Sequence, residues 1–462
     1  MPNSEHKIAP TVIVLFGATG DLAKSKIGPA LDHLFKNGEL PERLKVVGFA
    51  RRPLTAADFR EHLQSEGSAY SSDFLELFSY SQGNFNVPED YSRLGQTLQE
   101  IDNSWGMCSN KLFYLAVPPA LYADIFTNLA LSGLSKPCGG EDGWTRIIVE
   151  KPFGRDAKSA KELDELLARL FQEEQIYRID HYLAKEMLQN VLAFRFSNNL
   201  FEANWGAGFV ESIHVRFLEK AGVDTRGSFY DDVGALRDVG QNHLLQMLAI
   251  AAMDNPGTME AVAVRSARAR VLAALKVPSG LEKQDSIIRG QYDGYRQTSG
   301  ATTDSQTETY FRIETYINLP RWRDVPVTLE AGKGMSANFK DITITFTHPA
   351  PFLHESPKEY KNTLTFFLEP EEGATLKFWA KKPGLKMEME ERSFDFMFRE
   401  PAAKKGISGY EKLLLDCIHG DQSLFVSSEE IAATWRFVDP IIEGWQKGES
   451  SLLRYPLGGK PL

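Results

Sequence analysis

Val12-Ile13-Val14-Leu15-Phe16-Gly17-Ala18-Thr19-Gly20-Asp21-Leu22-Ala23-Lys24 is an apolar run that stops at one glycine, turns through a second and resumes with residues that favour helix. Five consecutive apolar side chains without alternation read as a strand covered on both faces, the kind found in parallel sheets. A Gly-x-x-Gly turn between such a strand and a helix suits a phosphate: Gly17 makes the tight turn, Gly20 lets the backbone approach a pyrophosphate, and the small Ala23 lets the helix pack close. Taken alone, the loop from Gly17 and Ala18 through Thr19, Gly20, Asp21, Leu22, Ala23 and Lys24 serves equally well as a plain turn.

Working outward, SKIGPALDHLFKNGEL repeats Ile27, Leu31 and Leu34 at helical spacing, and LKVVGFA reads as a second strand, which gives a βαβ start. An acid at the end of that second strand would bind the ribose hydroxyls of NAD, but the chain has Arg51 and Arg52 there. Two guanidinium groups suit a 2′-phosphate and make NADP the expected cofactor; their bland reading is a pair of solvated arginines. Lys24 and Lys26 either add positive field or face water. RIIVEKPF is a further buried strand, followed by a helix with Leu163, Leu166, Leu167 and Leu170 on one face and Asp156 as its cap.

From about residue 210 the period changes. ESIHVRF, YFRIETYINL, DITITF and TLKFWAKK alternate apolar with polar residues as half-buried antiparallel strands do, and DVGQNHLLQMLAIAAM reads as a helix packed on their sheet. The expected fold is therefore α/β plus α+β: a Rossmann-like dinucleotide-binding domain over residues 1–180, then a larger domain over 181–462 with a mostly antiparallel sheet and packed helices.

Bulk properties fit. The 462 residues are 42% hydrophobic and 25% charged, ordinary for a globular protein of two or three domains. A net charge of −10 argues against nucleic acid or an anionic membrane as partner. The three cysteines, Cys108, Cys138 and Cys417, have no short spacing, so neither a disulfide framework nor a thiolate metal cage is expected, and a reducing, cytoplasmic setting is. TVIVLF is far shorter than a membrane span and lacks a signal-peptide layout.

Two clusters remain. RIDHYLAKEMLQN concentrates Asp180, His181, Lys185 and Glu186; a helix starting at about Asp180 would set His181 and Lys185 four apart on one face, able to grip one anion. LRDVGQNHLLQ places Asp238 and His243 at the head of an apolar helix, where on this cluster alone His243 reads as a half-buried core histidine.

GATGDLAKSKIGPAL, GFARRPLT, KLFYLAVPP, RIIVEKPFGRD, RIDHYLAKE, RDVGQNHLLQ, LEAGKGM and LLLDCIHGDQSLF, in that order over nearly the whole chain, make it resemble the glucose-6-phosphate dehydrogenase family. The resemblance implies oxidation of D-glucose 6-phosphate to its 1,5-lactone with hydride transfer to NADP and no metal, the first oxidative step of the pentose phosphate pathway. By the same resemblance His243 is the base that takes the C1 hydroxyl proton, and Asp180 holds and stabilises it, a task suited to an imidazole of pKa about 6.5. His181, Tyr182 and Lys185 match residues on the substrate, chiefly its phosphate, and Lys333 matches another substrate lysine. Glu219 and Asp238 match acceptors for sugar hydroxyls, Lys151 lies between substrate and cofactor, and Tyr114 and Arg51 match cofactor contacts. Pro152 restricts Lys151 to an extended backbone.

The chain departs from the family pattern at three places. Ala184 replaces the glycine of HYLGK, Asn338 stands where many relatives have a second basic residue with Lys340 nearby, and RYPLGGKPL is short against longer relatives, which speaks against a second, structural NADP. Relatives form dimers or tetramers, so a homodimer or homotetramer is expected. The alternatives are an oxidoreductase of the same family acting on another hexose derivative and a catalytically silent regulatory relative, against which the joint presence of Asp180, His181, Lys185, Asp238, His243 and Lys333 counts.

Overall fold

The computed structural model describes residues 9–64, 70–138, 143–278, 286–348, 360–397 and 409–462. It divides into two compact units: Met1–Ala184 with Glu260–Val262 and Ala402–Ser428, and Lys185–Met259 with Ala263–Pro401 and Glu429–Leu462. A single cut near residue 180 does not contain the return of 409–428 to the first unit. A two-residue strand, Phe425–Val426, anchors that return by antiparallel pairing with Ile179 and Arg178.

The first unit is a doubly wound sheet of β1 (Thr11–Phe16), β2 (Leu44–Ala50), β3 (Phe78–Gln82), β4 (Asn110–Leu115), β5 (Thr145–Val149) and β6 (Ile176–Ile179). These run parallel in the order β3-β2-β1-β4-β5-β6, with Phe425–Val426 on the outer edge of β6. The topology reverses on either side of β1, which puts a crevice beyond its C-terminal end, where open α/β sheets bind ligands. β1 and β4 are buried at every position, as continuous apolar strands between two helical layers must be. Helix Ala157–Leu170 has the expected cap: Asp156 accepts from the Ser159 amide at 2.7 Å.

The second unit carries β7 (Val210–Leu218), β8 (Ile287–Tyr292), β9 (Tyr310–Tyr316), β10 (Pro326–Gly332), β11 (Phe339–Phe346), β12 (Thr363–Glu369), β13 (Gly373–Lys381) and β14 (Met389–Met397). The order is β14-β13-β12-β11-β7-β10-β9-β8, closed on the β8 side by Leu452–Tyr455. Pairing is antiparallel except between β7 and β10 and between β8 and that last strand. The apolar helix read from the sequence is present and buried, wound as π-helix over Leu236–Leu244 and as α-helix over Leu245–Ala252. Among the described residues no helix is long and apolar enough to cross a membrane.

Candidate active site

In the first unit the glycine turn forms as its chemistry demands. Gly17 has φ +75°, and a Cβ there would sit 2.3 Å from the Ala116 carbonyl oxygen, so the conformation and the close approach both require glycine. The Gly17 amide donates to Phe49 O at 2.9 Å and the Gly20 amide to Gly17 O at 2.9 Å, which ties the turn to the end of β2. Helix begins at Asp21, its N-terminus at the loop, with Ala23 buried against the sheet. Such a turn and helix end fit a pyrophosphate. The same tie to Phe49 brings Arg51 and Arg52 beside the loop. Both side chains are exposed, while Gln82 Nε2 holds Arg51 O at 3.2 Å and the Tyr80 hydroxyl holds Arg52 O at 2.6 Å.

The Tyr114 side chain is fully buried in β4, and its hydroxyl donates to Glu150 Oε1 at 2.6 Å, which braces the end of the sheet. Tyr122 donates to the Glu150 carbonyl at 2.8 Å. Burial pushes the Glu150 carboxyl up to about 7, against the lowering effect of the Tyr114 hydrogen bond and of Lys151. Lys151, the next residue, is half-buried and joined to Pro152 by a cis peptide.

The segment after β6 corrects one expectation. Residues 181–184 form a turn and not the start of a helix, which begins at Glu186 with Lys185 as its extended cap, so His181 and Lys185 do not share a helical face. The cause is local: Asp180 Oδ1 accepts from the Tyr182 amide at 3.0 Å and Asp180 O from the Leu183 amide at 3.0 Å, a side-chain turn that competes with helix. Asp180 is 1% exposed, and the His181 ring stacks on Tyr410 at 6.4 Å. The methyl of Ala184 lies against Gly409, where a Cβ would come within 3.2 Å of it.

In the second unit, sheet register assembles a row of charges. β7 and β10 run parallel with Gly332 opposite Leu218, so Glu219 and Lys333 emerge side by side at their C-terminal ends. Lys340 of β11 lies across from Phe217 of β7, and Glu369 of β12 across from Lys340. Because side chains alternate along a strand, Phe217 and Glu219 point to the same face. Lys333 Nζ is 2.6 Å from Glu219 and 3.5 Å from Asp238; Lys340 Nζ is 2.6 Å from Glu369 and 3.7 Å from Glu219; Lys185 Nζ is 3.1 Å from Glu369. His243, 2% exposed and thus more than half-buried, stacks on Phe217 with centroids 5.9 Å apart, while Lys340 Nζ sits 4.5 Å from the same ring. Burial pushes the Glu369 carboxyl up, but Lys340 and Lys185 outweigh it and hold the group below its ordinary value.

Four residues marked in the sequence, Lys185, Glu219, Asp238 and Lys333, thus fall in one ionic network of the second unit, with His243 one ring away. Glu369 and Phe217 were not anticipated; cross-strand register exposes them, and no local pattern announces it. Asn338 accepts from the Lys220 amide at 2.7 Å, a backbone duty, and the nearby cation is Lys340.

A doubly wound unit with a glycine turn at its switch point, joined to an α+β unit with a compact charged network, defines the class of a dinucleotide-dependent oxidoreductase. Residues 14–190 match the family model of the glucose-6-phosphate dehydrogenase NAD binding domain, and residues 192–461 that of the C-terminal domain. The chain belongs to the glucose-6-phosphate dehydrogenase family. It is 35% identical to a glucose-6-phosphate 1-dehydrogenase of Chlamydia pneumoniae, covering 99% of this chain and 94% of that one. It is 36% identical to glucose-6-phosphate 1-dehydrogenase 5, cytoplasmic, of Arabidopsis thaliana, covering 97% and 88%. A solved glucose-6-phosphate dehydrogenase in complex with its substrate glucose-6-phosphate superposes with a TM-score of 0.90 at 34% identity, covering 100% of this chain and 97% of that one.

Proposed function

We propose that the chain oxidises D-glucose 6-phosphate at C1 to 6-phosphoglucono-1,5-lactone, using NADP. The observation that carries the reading is the network of Lys185, Lys333 and Lys340 with Glu219, Asp238 and Glu369, set on one sheet face beside the Phe217–His243 stack. It offers cations for a phosphate dianion and acceptor-only groups for sugar hydroxyls within one unit.

NADP held by the Gly17–Lys24 loop and Arg51 would supply the acceptor for the hydride from C1. His243 takes the proton from the C1 hydroxyl as that hydride departs, and Asp180 stabilises the imidazolium. Lys185, with His181 and Tyr182, holds the phosphate. Glu219 and Asp238 accept hydrogen bonds from the ring hydroxyls, and Lys333, 2.6 Å from Glu219 and 3.5 Å from Asp238, binds the substrate beside them. Lys151 aligns substrate and cofactor. The Gly17–Lys24 loop seats the pyrophosphate, and Arg51 pairs with the 2′-phosphate, which favours NADP over NAD. In this division residues 1–180 bind NADP, and residues 181–462 bind the sugar and carry the assembly surface.

The test is a panel: purified chain with NADP or NAD and with glucose 6-phosphate, glucose or other anionic sugars, followed by absorbance of the reduced nicotinamide. Turnover fastest with NADP and glucose 6-phosphate is expected. A protein that binds NADP yet never reduces it with this sugar would reject the reading.

A homodimer or homotetramer in the cytoplasm completes the proposal. The exposed Phe394 and Phe396 on edge strand β14 supply an apolar face for a second copy, and the Arabidopsis relative is a cytoplasmic enzyme. Sedimentation velocity of the chain and of Phe394→Asp tests the assembly: a sedimenting monomer in both would end it.

A further inference from the structure

At the opposite end of the first sheet's central strands from the glycine turn, three donors from separate segments converge. β1 and β4 run in register from Thr11 beside Asn110 to Phe16 beside Leu115, so the residues just before Asn110 lie about 20 Å, a strand length, from Gly17. There Asp102, near the end of helix Pro88–Trp105, meets Cys108 and Cys138, with one ligand atom of each within 4.8 Å of the other two. They line a cavity of about 600 Å³ shared with Met107 and Lys111. The cysteines are thirty residues apart in sequence, which is why no short Cys spacing announces the cluster.

One donor pair stands at the separation that a tetrahedral site needs. Cys138 Sγ is 3.6 Å from Asp102 Oδ2. With Zn–S near 2.3 Å and Zn–O of roughly 2.0–2.2 Å, two ligands at a tetrahedral angle stand about 3.6 Å apart. The carboxylate is already aimed. Its Oδ1 accepts from the Ser109 amide at 3.1 Å and from the Ser109 hydroxyl, and Lys111 Nζ lies 3.1 Å from Oδ1 and 2.9 Å from Oδ2. Supporting bonds of this kind fix a metal-binding carboxylate in place. Charge also balances. Lys111 and Asp102 offset one another with the thiols protonated, and a dication that displaces two thiol protons leaves the total unchanged.

We propose that Asp102, Cys108 and Cys138 form a site for one Zn²⁺, with a water from the cavity as fourth ligand, separate from the dehydrogenase chemistry. Two sulfurs and one oxygen around a four-coordinate centre favour zinc over the hard cations, which take oxygen alone.

The experiment uses the full chain, reduced with a phosphine. Zn²⁺ is titrated against a chromophoric chelator, and Co²⁺ binding is followed by its spectrum. One equivalent should bind, with an intense thiolate-to-cobalt band and the d–d bands of tetrahedral cobalt, and zinc should shield Cys108 from alkylation. Affinity should fall by roughly 100-fold in Cys108→Ser and in Cys138→Ser and about 10-fold in Asp102→Asn. Cys417→Ser should bind as the parent does, and NADP reduction should be unchanged in all four. Circular dichroism and that same activity report folding. Substoichiometric binding, binding that survives the double replacement of Cys108 and Cys138 by Ser, or an octahedral cobalt spectrum would overturn the proposal.

Discussion

In the proposed reading the two units would recognise phosphate in opposite ways. In the first, the Gly17 loop is built from backbone: a left-handed glycine, a close carbonyl and the start of a helix. In the second, the candidate site is built from side-chain charge, three lysines interleaved with three carboxylates on the face of a sheet. Backbone recognition is local in sequence and insensitive to long-range charge. A row of ion pairs is assembled from the ends of β7, β10, β11 and β12 and from two helices, which supply Lys185 and Asp238, and it answers to every charge in it. Perturbing the two units should therefore produce different signatures.

The largest expected effect belongs to the proposed base. His243→Asn should lower kcat by roughly 10²–10⁴-fold, the usual contribution of a general base, with KM for glucose 6-phosphate near native. Steady-state kinetics decide it; a variant with near-native kcat removes His243 from the role. Next comes Lys333→Met, which leaves Glu219 and Asp238 without the ammonium that lies 2.6 Å and 3.5 Å from them. Loss of one partner in a desolvated pair costs at least about 2 kcal/mol, so KM for glucose 6-phosphate should rise about 30-fold or more. That KM should also climb with ionic strength in the parent, since the phosphate is held by charge.

Gly17→Ala is the counterpart in the first unit. A methyl 2.3 Å from Ala116 O must displace the turn, and KM for NADP should increase more than 10-fold, with KM for the sugar unmoved. Arg51→Ala should weaken NADP by about 10-fold and NAD hardly at all. Equal losses for both cofactors would place the 2′-phosphate elsewhere.

The same contrast explains what the sequence made legible. Strand, turn and helix of the nucleotide unit follow one another within twenty residues, so VIVLFGATGDLAK exposes them, as GFARR exposes the arginines. β3 and the Phe425–Val426 return escape because an edge strand such as FSYSQ is only partly buried and two residues are too few for any period. In the second unit the alternation of DITITF and TLKFWAKK is plain, but alternation says which residues share a face and nothing about which strand lies opposite. Lys340 meets Glu369 and Phe217 only through register, and Cys108 meets Cys138 only because two segments close on the same end of the sheet's strands. The helix expected from Asp180 fails for the reverse reason: a short-range hydrogen bond from the Tyr182 amide overrides the pattern.

The smallest effect is the sharpest test of the contrast, because it sets one half-buried acid against another. Burial raises Glu150 from the ordinary carboxyl value of 4.5 to about 7, whereas Glu369, with Lys340 and Lys185 at hand, lies below its ordinary value despite partial burial. A group whose folded pKa is raised binds its proton more tightly when folded, so Glu150 makes stability decline as pH climbs from about 4.5 to about 7. Glu150→Gln copies the protonated acid and should melt a few degrees above the parent at pH 8 and level with it at pH 5. Glu369 works the other way: its ion pairs stabilise the fold above the carboxylate's ordinary value, and that contribution disappears as pH falls through its depressed folded value. Glu369→Gln should therefore melt below the parent at pH 8, with the deficit shrinking on acidification. Melting curves of both variants across pH 4 to 8, which move in the same direction, would show that the two units handle buried charge alike and that the contrast between them is one of sequence pattern only.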